Sequence, residues 1–138
     1  MYNTLKQIST DNDYVFLYAR NDYQNLFNEI EEVNKPHIFL DPVQTSTTFD
    51  ETGGDDVKTY SGSFMILLSS DIDVEDYDTR YQDYIKPVVT GATETIKNAI
   101  RCSSELEIQV WQSVEVINVM DYNFDGVIIT YQLTESNG

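Results

Sequence analysis

The chain has 138 residues, 41% apolar and 12% aromatic, with a formal charge of −16 from 24 acidic and 8 basic side chains. That length predicts one domain with a real core, and the charge opposes binding to a nucleic-acid backbone, which needs clustered Lys and Arg. No apolar run approaches the ~20 residues of a membrane span, and "MYNTLKQIST" lacks the basic and then apolar pattern of a secretion signal.

Early in the chain, "TLKQI" fits a short helix, and "YVFLYAR" (14–20) fits either a buried strand or a helical segment. From residue 21 the apolar positions Tyr23, Leu26, Phe27, Ile30 and Val33 recur at helical spacing, which predicts a helix over 21–33 that closes before Pro36. "HIFLDPV" (37–43) reads as a short strand. The polar, acidic stretch 44–58, "QTSTTFDETGGDDVK", has no period, and its length predicts a long mobile loop between two strands. "TYSGSFMILLSS" (59–70) follows. Its continuous apolar centre, Phe64 to Leu68, predicts a central strand covered on both faces.

A long amphipathic helix is predicted over about 74–101. Tyr77, Tyr81, Tyr84, Ile85, Val88, Ala92, Ile96 and Ala99 form its apolar stripe. Asp71 or Asp73 can cap it, Glu75 and Asp76 suit its positive end, and Lys97 and Arg101 suit the other. Pro87 lacks a backbone donor, so a kink is expected there. In the last third "ELEIQVWQSVEVINVM" alternates, with Leu106, Ile108, Val110, Val114 and Val116 on one face. Ile117 and Val119 fall out of phase, which predicts a bulge or bend. "GVIITYQLT" returns as the partner strand. The fold class is therefore α+β: a single antiparallel or mixed sheet, the long helix and a shorter N-terminal helix packed on one face, and a C-terminal β-hairpin.

The stretch that most resembles ready-made chemistry is "DYNFDG" (121–126). Asp121, Asn123, Asp125 and Gly126 occupy the first, third, fifth and sixth positions of an EF-hand calcium loop. The twelfth position, however, is the neutral Gln132, and both flanks read as strands rather than helices. Asp, Asn and Gly also favour tight turns because they tolerate left-handed backbone angles. The stretch therefore reads as a hairpin turn, with a calcium-dependent acidic binding module through Asp121, Asn123 and Asp125 as the alternative.

Other chemistry has thinner support. The lone Cys102 excludes an internal disulfide, and it ends a predicted helix, where the dipole disfavours a thiolate; a small buried thiol is expected. His37 is the single histidine. Acidic pairs such as Asp55 and Asp56, or Asp71 and Asp73, follow from the composition and carry no catalytic signal. "TGGDD" lacks the lysine of a phosphate-binding loop. Trp111 reads as a core or subunit-contact anchor. No nucleophile, base and orienting group can be named together, so neither an enzyme nor a cofactor is expected.

"YSGSFMILLSS", the long helix after it and "EIQVWQSVEVINVMDYNFDGVIITYQLT" together resemble the tail-terminator and tail-completion proteins of tailed bacteriophages. The resemblance spans residues 36–135, and the Tyr- and Asp/Asn-rich composition is similar to that of crAss-like phages. It implies a structural virion protein of the neck, a tail terminator or head–tail connector assembled in the host cytoplasm. The subunit would form a homo-oligomeric ring, sixfold or twelvefold, between other neck and tail proteins. DNA would pass through the channel without specific binding, and an acidic lumen would repel its phosphates. The interface candidates under that resemblance are Phe49, Asp50, Asp55 and Asp56 of the 44–58 loop, with Phe49 as its large apolar anchor, together with Trp111.

Overall fold

The computed structural model describes residues 1–18, 35–49, 52–54, 56–69, 77–103, 105–119 and 124–135. Its elements, in chain order, are α1 (Tyr2–Asp11), β1 (Val15–Tyr18), β2 (His37–Leu40), β3 (Gln44–Thr48) and β4 (Val57–Ser69), then a helical stretch, α2, and β5 (Leu106–Val119) and β6 (Phe124–Glu135). α2 consists of an α turn (Tyr77–Arg80), π-helical turns (Tyr81–Ile85 and Val88–Thr93) and an α segment (Glu94–Cys102). The strands form one mixed sheet in the order β1-β2-β4-β6-β5, with β3 also paired to β4. β1 and β2 are parallel, and the other pairs are antiparallel. The fold is α+β, as the order of elements predicts.

The period-2 pattern of the strands places the core. Ile38, Leu40, Phe64, Ile66, Val127, Ile129, Tyr131 and Leu133 alternate along β2, β4 and β6, and they meet Leu5 and Ile8 of α1 and Val88, Ala92, Ile96 and Ile100 of α2. Both helices thus cover the same face. On the other face Phe39, Met65 and Leu67 are buried as well, so the middle of β4 is enclosed on both sides, in keeping with its unbroken apolar run.

The first third of the chain resolves as follows. The N-terminal helix is Tyr2–Asp11, longer than "TLKQI" suggests; the helix expected over 21–33 lies outside the described residues. "YVFLYAR" contributes a strand, Val15–Tyr18. Asp13 (φ 59°) takes the left-handed conformation between α1 and β1, and the Tyr14 N–H donates to the Ser9 carbonyl (2.8 Å) to close the helix.

The predicted stripe of α2 also shifts. Val88, Ala92, Ile96 and Ile100 recur every four residues and are buried, whereas Tyr81 is 37% exposed and Ile100 replaces Ala99 as the fully buried contact. On a regular α-helix each four-residue step drifts by about 40° at ~100° per residue. The wider π-helical turns on either side of Pro87 reduce that drift. Pro87 itself keeps helical angles (φ −60°, ψ −36°).

Candidate interaction surface

The 44–58 stretch is not one irregular loop. Gln44–Thr48 forms a ladder with Val57–Ser61, so it is a hairpin arm whose tip begins at Phe49. Thr45, Thr47 and Thr48 supply β-branched side chains suited to an extended backbone. Composition hid this, because an exposed polar strand has no apolar alternation to read. All five β3 residues are exposed, and Phe49 is 73% exposed. Gly53 (φ 86°) provides left-handed backbone in the tip. Asp56 is exposed beside it, while Asp50 and Asp55 lie outside the described residues.

β3 occupies a particular place in the sheet. One side of β4 pairs β2 over Phe64–Leu67 and β3 over Val57–Ser61, so β2 and β3 lie end to end along it. β1 pairs β2 over Val15–Tyr18, and no strand among the described residues lies outside β3. The corner between β2 and β3 is tied to β4 by the Asp41 N–H donating to the Ser63 carbonyl (3.2 Å) and Ser63 Oγ donating to Asp41 Oδ2 (3.0 Å). Beside this corner, the Tyr131 hydroxyl lies over Gly62, 3.1 Å from where a side chain would start. Burial pushes the Tyr131 phenol up to about 12, with the Asp41 charge adding to the shift.

At the opposite margin, β5 is the last strand of the order. Its register to β6 shifts between Ile108 and Val110 and again between Val116 and Val119. The second shift is the bulge that the out-of-phase Ile117 and Val119 predict; the first breaks the face assigned to Val110 and Val114. After it Trp111, rather than Val110, joins Leu106 and Ile108 against the core. Trp111 is half-buried and meets Phe64 edge-on, with ring centroids 5.7 Å apart, which accounts for its core-anchor role. Val114 is left 63% exposed on the far face.

The arrangement around "DYNFDG" differs from a pure turn. Asp125 and Gly126 belong to β6, paired with Leu68 and Leu67, so the connection from β5 is shorter than the stretch implies. Asp125 is fully buried at the start of that strand, while Asp121 and Asn123 lie outside the described residues. Among the described residues no three His, Cys, Asp or Glu side chains come together as a metal site.

His37 is buried, stacks on Phe39 with ring centroids 6.3 Å apart, and places Nδ1 2.8 Å from the Lys35 carbonyl, which makes Nδ1 the donor. Cys102 is exposed rather than buried, because it ends α2 beyond the Val88–Ile100 stripe.

A shallow groove of about 650 Å³ crosses the face opposite the helices, between the β2–β3 corner and Val110 of β5. Its floor is hydroxyl- and amide-rich, from Gln44, Ser61, Ser63, Thr130 and Gln132. A second cleft of about 490 Å³ lies beside Met1, where the Tyr60 hydroxyl donates to Glu135 (2.6 Å). That bond raises the Tyr60 pKa, and burial lowers that of the Met1 amino group. The features best suited to recognition are therefore the arm with Phe49 and the outer edges of β3 and β5, beside which no further strand lies among the described residues. Of the interface candidates read from sequence, Phe49 and Asp56 fall on the arm and Trp111 on β5, whereas the edges themselves were not anticipated. No protein-family model matches the chain, and no curated protein shows significant similarity to it.

Proposed function

We propose that the chain is a structural subunit of a phage neck or tail junction, a tail terminator or head–tail connector, that works by assembling side by side into a ring around the DNA path. The observation that carries this reading is the exposed β3–β4 arm. A polar five-residue strand, exposed throughout, projects Phe49 with 73% of its surface in solvent. A large aromatic side chain this exposed at the end of an edge strand suits burial against a neighbour. The net charge of −16 suits a wall past which a phosphate backbone slides without binding.

The role in this reading is mechanical: it needs repeated copies and calls on no nucleophile or metal. Light scattering and negative-stain electron microscopy of the purified chain test it, alone and with portal and tail-tube proteins of the same phage. Closed rings, alone or on those partners, are the expected result. A strict monomer that joins neither would overturn it. In a gel-shift experiment with duplex DNA at physiological salt, no complex is expected.

A further inference from the structure

Resting on the reading of the chain as a repeated subunit, we infer that neighbouring copies join by continuing the sheet. The outer edge of β3 in one copy pairs with the outer edge of β5, along residues 110–116, in the next.

An uncovered strand edge presents N–H and C=O groups that can accept another strand, and proteins usually blunt such edges with charge, proline or bulges. Gln44–Thr48 contains no charged residue, no proline and no register shift, and all five residues are exposed. At the other margin β5 is bulged near both ends, but its ladder to β6 runs regularly from Val110 to Val116. That window is longer than β3 and can take the whole of it. Its one charged side chain is Glu115.

Two further observations point to the same pair of edges. The most exposed large apolar side chains among the described residues are Phe49 and Val114, at 73% and 63%. Phe49 directly follows β3, and Val114 lies inside the β5 window. In addition, a chain at −16 repels its own copies over most of its surface. The β3 and β5 edges are nearly neutral, as is the four-residue β1, but only the first two carry the exposed Phe49 and Val114, so copies can meet there at low electrostatic cost and bury both. Pairing β3 with β3 of a second copy in antiparallel fashion uses the same surface twice and stops at a closed dimer, so it does not build a ring. Pairing β3 with β5 joins two different surfaces head to tail, the geometry that closes rings.

The test uses the full chain with added negative charge at three exposed positions: Thr47→Glu on β3, Val114→Glu on β5, and Asn3→Glu on α1 as a control of equal charge. Light scattering against concentration should show the assembly midpoint raised at least tenfold by T47E and by V114E and left within twofold by N3E, with all three melting like the parent. Two single-cysteine chains in a Cys102→Ser background, S46C and S113C, should cross-link to each other when mixed and oxidised, and each far less with itself. If the parent assembles but T47E and V114E behave like N3E, or the mixed cross-link does not exceed the self cross-links, the contact lies elsewhere: this inference is overturned and the ring reading stands. If the parent assembles at no concentration or salt, alone or with neck partners, both fall.

Discussion

A side chain at position 126 would overlap the carbonyl oxygen of Ile66, so Gly126 is there to let β6 approach β4. Gly126→Ala should destabilise the fold by about 3 kcal/mol, read as a lower denaturant midpoint in urea unfolding. From sequence this glycine looked like part of a turn, because "NFDG" suits turn chemistry equally well; close approach between strands distant in sequence leaves no local trace. Tyr131 was equally illegible. Its hydroxyl is buried over Gly62 with no hydrogen-bond partner among the described residues, so Tyr131→Phe should change stability at neutral pH by less than about 1 kcal/mol. At high pH the two proteins should part. The phenol's pKa is raised from 10.0 to about 12, so its contribution is full below pH 10 and is lost as pH rises through 12. Thermal melts between pH 9 and 12 should fall less steeply for Tyr131→Phe than for the parent.

Among the elements, α2 was legible as a helix but not in its phase. The spacing identified Ile85, Val88, Ala92 and Ile96, which are buried, yet included Tyr81, which is 37% exposed. The π-helical turns around Pro87 set the phase, and a 3.6-residue template does not contain them. Ile100→Ala should therefore cost about 2–5 kcal/mol by leaving a cavity against the sheet, and Tyr81→Ala less than about 1 kcal/mol, both measured by urea unfolding. The bulge near Val119 was readable because apolar residues changed phase there. The shift at Ile108/Val110 was not, since hydrophobic Val110 and Trp111 are adjacent and either could face inward. β3 was missed altogether because a strand exposed throughout shows no alternation, and its Thr residues were outweighed by the acidic tip that follows.

For the whole molecule, charge decides how copies meet. At −16 per chain, assembly works against mutual repulsion that salt screens, with a Debye length near 10 Å at 0.1 M and about 3 Å at 1 M. Ring formation should therefore strengthen as sodium chloride rises from 0.05 to 0.5 M, the reverse of a charge-paired interface; sedimentation velocity across that range checks the sign. The candidate site was legible only in part. Phe49 stood out as the one large apolar residue in a polar stretch, whereas the free edges depend on which strands end the sheet, and no single segment carries that information.

Electron micrographs of the purified protein at high concentration and 0.5 M salt address the central claim most directly. Class averages should show closed rings of one size with a central channel. Particles of single-chain size at every concentration, which also fail to decorate isolated portal or tail-tube ends, would contradict it.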